Sequence, residues 1–299
     1  MQKVFNFLRY GNRLMVISIL VIFFGLVYTF MYHGGYNWGI DFSSGVNINF
    51  SIGKGGVKDN EIKKVLASAY KTFEVSEIIS SDESRSHFSV TIKSDVTDYA
   101  LNKDIRDALL EKLEAEYEVD VEILDSYFID SSFSATLRTK STLLVCLTFA
   151  LVLVYVALRF RLSYAVASIF ATMHDIFFVV AFLGVFRIEI NSSIVVSILT
   201  IIGYSLNDTI IIFDRIRENS RKLSGTSFLS VLNVSIGQTL SRTILTSITT
   251  FVAVLSIYIF TEGAIRDFSL IFMVGVIVGT YSSIFIASPV LLTLYKKIK

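Results

Sequence analysis

Four ionisable side chains lie inside or at the edge of stretches otherwise built for hydrocarbon: His174, Asp175, Asp208 and Arg242. A charged group at mid-bilayer costs roughly 2.5–3.5 kcal/mol even on the lenient insertion scale, so each is a functional candidate. The segment GYSLNDTIIIFDRIREN, Gly203 to Asn219, sets Asn207 and Asp208 side by side in an apolar run. A carboxylate whose charge changes as access to it changes can relay protons across a membrane. The same residues admit a structural reading. Asp208 and Arg242 could be a buried ion pair that fixes helix register. Asn207 and nearby hydroxyls could be interhelical glue.

Helical spacing says which residues share a face. Ser197, Thr200, Tyr204 and Asn207/Asp208 recur at steps of three and four, as do Arg242, Thr246, Thr249, Ala253 and Ser256. Ser168, Thr172 and Asp175 form a third seam. Turning all three seams inward is the economical arrangement. Asp208 lies six residues before Asp214, about 9 Å at 1.5 Å per residue. Arg242 opens the next apolar segment from the same side, so the two are expected to meet.

These residues need membrane helices to hold them. The chain of 299 residues is 53% hydrophobic, with a mean hydropathy of +0.62. A bilayer core of about 30 Å needs about 20 apolar residues per helix. Six segments qualify, near 14–32, 141–158, 164–186, 191–213, 243–261 and 268–294. The first follows Lys3, Arg9 and Arg13 but is long for a signal sequence and lacks a small-residue cleavage site, so it reads as an uncleaved span. Basic residues cluster in alternate loops: Arg159 and Arg161; Arg215, Arg217, Arg221 and Lys222; and Lys296, Lys297 and Lys299 at the end. The other loops are mixed, pairing Arg187 with Glu189, and Glu262 and Asp267 with Arg266. With six spans this asymmetry puts both termini in the cytoplasm and residues 33–140 outside. The sixth span carries GVIVG, Gly275 to Gly279, a small-xxx-small packing face. A net charge of +1 argues against a nucleic-acid partner, and the single Cys146 can form no disulfide within the chain.

Residues 33–140 hold 19 of the 26 acidic residues, enough chain for one small domain. SSGVNINFSI, FEVSEIIS, SHFSVTIK and VDVEILDSYFID read as strands. The stripe of Ile62, Val65, Leu66 and Ala69, and that of Leu101, Ile105, Ala108, Leu109 and Leu113, mark helices. The order is βαββαβ, the ferredoxin-like split pattern. The fold class is therefore a six-span helical membrane protein with an inserted α+β domain. That domain offers no catalytic constellation. His87 reads as a surface residue, and GKGG at Gly53 to Gly56 lacks the upstream glycine and following hydroxyl of a phosphate loop. No metal or cofactor site is expected. The sequon NDT lies inside a span and cannot be glycosylated.

Four stretches resemble one family: GIDFSSG after the first span, IGYSLNDTIIIFDRIREN in the fourth, QTLSRTILTSITT in the fifth and GTYSSIFIASP in the sixth. In order and number of spans the whole chain is similar to the SecF family, related to the RND superfamily. Ser43 and Ser44 depart from the Thr-Gly usual there. The resemblance implies a subunit that pairs with SecD and uses the proton motive force to help the SecYEG translocon, with YajC as a further partner, move polypeptides across the bacterial inner membrane. It implies proton passage at Asp208 and Arg242, with Asn207, Asp175 and His174 as further members of the relay. It implies no enzyme activity. The alternative is an RND-like proton-coupled exporter of a small molecule or lipid, which would need an apolar pocket. A purely structural scaffold would instead tolerate Asp208→Asn.

Overall fold

The computed structural model describes residues 6–68, 73–78, 84–93, 99–223, 225–261 and 263–298. Lys3, Ala69, Glu262 and Lys299, named above, lie outside them, as do the last residues of FEVSEIIS. The side chain of Leu101 is likewise not described. The chain divides into two units, residues 1–37 with 143–299, and residues 38–142.

The second unit begins with a short helix, α2 (Ile40–Ser43), and continues β1 (Gly45–Ile52), α3 (Asp59–Ala67), β2 (Phe73–Ile78), β3 (Ser86–Lys93), α4 (Tyr99–Tyr117) and β4 (Val121–Ile129). The sheet order is β2-β3-β1-β4 with every neighbour antiparallel. This is the split βαβ arrangement expected from the pattern. Alternation along β1 sends Val46, Ile48, Phe50 and Ile52 to one face, where they meet Ile62 and Leu66 of α3 and Leu109 and Leu113 of α4. The opposite face is polar, with Asn47 donating to Ser89 and Thr91. The chain enters β1 through Ser44, at φ 61 and ψ 158, and Gly45, at φ 142. A Cβ on Gly45 would lie 2.2 Å from the Ile92 carbonyl oxygen, so only glycine fits.

The other unit is helical. Its elements are α1 (Gly11–His33), most of α5 (Ser131–Arg159), α6 (Leu162–Val185), α7 (Ser192–Lys222), α8 (Phe228–Phe260), α9 (Gly263–Ser282) and α10 (Ser288–Ile298). Among the described residues six helices, with α9 and α10 counted together, are long and apolar enough to cross a membrane. A π-helical turn, Ser283–Ala287, joins α9 to α10. It comes just before Pro289, the only proline, whose missing N–H breaks the regular ladder. Side chains cap the start of two long helices: Asn191 accepts from the Ile194 amide and Ser227 from the Ser230 amide. Helices α6, α7 and α9 supply most of the buried residues, while α1, α5 and α8 expose broad apolar sides. Several helices outrun the apolar segments that announced them. Helix α7 continues nine residues past Phe213, and α8 begins at Phe228 rather than near 243. Hydropathy measures the stretch that suits lipid. It does not report where the backbone ladder stops.

Candidate functional site

Asp175 of α6 is completely buried at the centre of a polar cluster that draws on four helices. Its carboxylate accepts from Ser205 of α7 and, at 2.7 Å, from Ser282 of α9. His174 Nδ1 lies 3.0 Å from the other oxygen, and His174 Nε2 lies 2.6 Å from the Ser18 hydroxyl of α1. The ring thus bridges Ser18 to Asp175, one nitrogen to each. A buried carboxylate with three donors is well provided for. Ser168 and Thr172, the rest of that seam, are buried as expected. Ser18, Ser205 and Ser282 escaped the sequence reading. Ser205 carried a signal, because it lies three residues before Asp208 and eight after Ser197 on one helical face.

Two glycines bring α7 and α9 close enough for this cluster. A Cβ on Gly275 would sit 2.2 Å from the Ile201 side chain, and one on Gly279 3.0 Å from the Ser205 Cβ. The small-xxx-small motif of the last span is therefore a packing face. It holds Ser205 against Asp175.

Asp208, one helical turn from Ser205, is also buried, with 1% of its surface exposed. It is less well provided for. Among the described residues its one side-chain hydrogen bond is with the Ser247 hydroxyl of α8, at 3.5 Å, the outer limit of a hydrogen bond. That hydroxyl is also hydrogen-bonded to Thr280 of α9, at 2.6 Å. Thr243, one turn from Ser247 on the same face of α8, is buried and its hydroxyl has no partner among the described residues.

The expected meeting of Asp208 with Arg242 does not occur as a direct ion pair. Arg242 is exposed. The whole fifth-span stripe needs the same correction. Thr249, Ala253 and Ser256 are exposed with Arg242 and Thr246 is half-buried, whereas Thr239, Thr243 and Ser247 form the packed face. Asn207 and Thr200 of α7 likewise point outward beside Asp208 and Ser197, which point in. The reason is packing. The face of α8 against α7 and α9 is lined with small hydroxyl residues that fit the close approach, and a long guanidinium does not. The two outward stripes adjoin, because the Tyr204 hydroxyl donates to the Thr246 carbonyl at 3.3 Å.

An apolar groove of about 530 Å³ runs between α8 and α9, and Ser247 and Thr280 lie in its wall. In the other unit, His87 on β3 is half-buried rather than a surface residue, and its Nε2 has no hydrogen-bond partner among the described residues. Among the described residues no group of three or more metal-ligating side chains occurs.

The profile of a family described as protein export membrane protein SecD/SecF, C-terminal, matches residues 109–297. Protein translocase subunit SecF of Borreliella burgdorferi is 65% identical over 299 residues, the full length of both chains. SecF of Helicobacter pylori is 33% identical over 98% of this chain and 88% of that protein. The crystal structure of SecDF, a translocon-associated membrane protein from a Thermus species, superposes with a TM-score of 0.82 at 30% identity. That match covers 99% of this chain but 39% of the SecDF chain. The chain belongs to the SecD/SecF family of protein export membrane proteins.

Proposed function

We propose that this chain is a protein translocase subunit of the SecF type and that proton binding at Asp208 couples the proton motive force to polypeptide export. The single observation that carries the relay is the setting of Asp208. It is buried, its one side-chain hydrogen bond among the described residues is the 3.5 Å contact to Ser247, and one turn from Ser247 the Thr243 hydroxyl has no partner among them. A carboxylate so lightly held responds to whatever polar group next reaches it. Asp175, by contrast, has its donors in place and serves with His174 as the clasp that holds α1, α6, α7 and α9 together.

The proposed partner is a SecD-type subunit, as relatives that carry both names in one chain suggest. Bare Arg242, Asn207 and a line of hydroxyls facing hydrocarbon would cost too much to leave uncovered. Polar transmembrane helices packed on this stripe would cover them and bring Arg242 to a protein interface. The SecYEG translocon and YajC are the wider assembly, in a bacterial inner membrane. Co-purification tests the partner. A SecD-type subunit should come down with the wild-type chain and be lost from an Arg242→Leu, Thr249→Leu variant. Retention by that variant would remove the stripe from the interface.

In this reading both termini lie in the cytoplasm and residues 33–140 in the periplasm. With Cys146 replaced, a cysteine at Lys112 should react with an impermeant thiol reagent added outside intact spheroplasts, and one at Lys222 should not. The second reading, proton-coupled export of a lipophilic molecule, has the apolar groove beside Ser247 in its favour. It requires gradient-driven efflux of a lipophilic dye from vesicles that hold this chain and its partner but no translocon.

A further inference from the structure

A cavity of about 910 Å³ opens at the end of the helical unit where α5, α6, α7, α8 and α10 come together. Arg159, Arg161, Arg217 and Arg221 line it. Only Arg159 is neutralised, by Asp214 at 3.1 Å. The nearby Glu218 is occupied by Arg215 at 2.5 Å and Lys222 at 2.6 Å. Arg161, Arg217 and Arg221 make no ion pair among the described residues. Two helix N-termini add to the same field. Helix α6 starts at Leu162 with no side chain capping it, while α8 starts at Phe228 with its Ser230 amide already held by the Ser227 cap. The first amides of a helix are free to donate, and the helix dipole favours an anion there.

The rest of the lining mixes the hydroxyls of Ser163, Ser220, Thr226 and Ser227 with apolar and aromatic side chains. Val231 and Leu291 lie at its base, and Phe228 stacks on Tyr295 with ring centroids 3.8 Å apart. Unpaired guanidiniums beside an apolar floor, at the end of membrane helices, match a molecule with an anionic head and a hydrocarbon tail. Basic loop residues that only set topology would have no reason to converge on one cavity with two helix N-termini.

We infer that this cavity binds the phosphate of an anionic phospholipid. The guanidinium forks of Arg217 and Arg221 grip the phosphodiester oxygens, and an acyl chain follows Phe228, Val231 and Leu291 toward the membrane. A bound lipid would tie the α7–α8 turn to the start of α6.

The full chain, purified in mild detergent after reconstitution with phosphatidylcholine and phosphatidylglycerol, tests this by native mass spectrometry. Wild type should retain phosphatidylglycerol in preference to phosphatidylcholine. The variant Arg217→Gln, Arg221→Gln should lose the preference. Arg9→Gln, which removes a basic residue elsewhere, should keep it, and Arg217→Lys, Arg221→Lys should keep part of it. Unchanged thermal unfolding of the glutamine variant excludes misfolding as the cause. Equal retention of both lipids by wild type, or an undiminished preference in the glutamine variant, overturns the inference. Displacement by inorganic phosphate at the concentration of lipid would make this a site for a soluble phosphate instead. Lost co-purification of a SecD-type partner with lipid preference intact would make it a protein contact, and either result overturns the lipid assignment.

Discussion

Ser247, five residues beyond Arg242 on α8, is the residue that faces Asp208, with its hydroxyl 3.5 Å from the carboxylate. Five residues turn an α-helix through about 140° past a full revolution, so Arg242 is aimed elsewhere. Removing one member of a buried ion pair strands the other and costs about 3–5 kcal/mol. Arg242 is exposed, and that penalty does not apply here. Arg242→Gln should therefore leave the unfolding of the isolated chain within about 0.5 kcal/mol of wild type, as for other surface changes. If Arg242 acts on the relay, the same variant should weaken gradient-driven export. A large loss of stability would put Arg242 back into the core.

Gly279 against Ser205 gives a second outcome. Added to a contact of 3.0 Å, a methyl group must push α7 away from α9. Overpacking of this kind costs about 1–3 kcal/mol. Gly279→Ala should lower the thermal midpoint in detergent. Gly203→Ala, where nothing lies within 4 Å, should leave it unchanged or raise it, since alanine is the better helix former. Equal effects would mean that the glycine face does not set the helix spacing.

The bridge from Ser18 through His174 to Asp175 predicts coupling between α1 and α6. Ser18→Ala and His174→Ala should each destabilise the chain. A double-mutant cycle should yield an interaction energy of about 0.5–3 kcal/mol, the range for groups in one hydrogen-bonded network. Strict additivity would show that the 2.6 Å contact contributes nothing.

Ser44 holds φ 61 and ψ 158 at the entrance to β1, a region that is essentially reserved for glycine and costs other residues about 1–3 kcal/mol. Residues 38–142 expressed alone should fold, because their core is their own. In that fragment Ser44→Gly should raise the thermal midpoint, by about 4–8 °C for each kcal/mol relieved. No change would mean that the backbone relaxes without the substitution.

The parts that were legible in the sequence are those with a strong period. Alternation in GVNINFSI and the stripe of Ile105, Leu109 and Leu113 announced strand and helix, and their order gave the sheet. Ser168, Thr172 and Asp175 were readable as one inward seam. Arg242 was not. A repeat of three and four says which residues share a face, but it does not say whether that face meets a neighbour or the outside. Ser18 and Ser282 were hidden for another reason. A lone serine in a membrane helix can bond its own backbone, as Ser282 also does to the Gly279 carbonyl at 3.1 Å. Only the fold shows that it turns toward a carboxylate as well. The early start of α8 was masked by the polar residues between Ser230 and Arg242, which interrupt hydropathy without interrupting the helix.

The central claim is that Asp208 binds and releases the proton that drives export. Asp208→Asn keeps the shape and the contact to Ser247 but cannot ionise. The direct measurement places the assembled complex, wild type or Asp208→Asn, in vesicles with an imposed pH gradient and follows polypeptide export. The variant should assemble normally and support gradient-independent export, while the stimulation produced by the gradient disappears. Full stimulation in a well-assembled Asp208→Asn complex would contradict the claim.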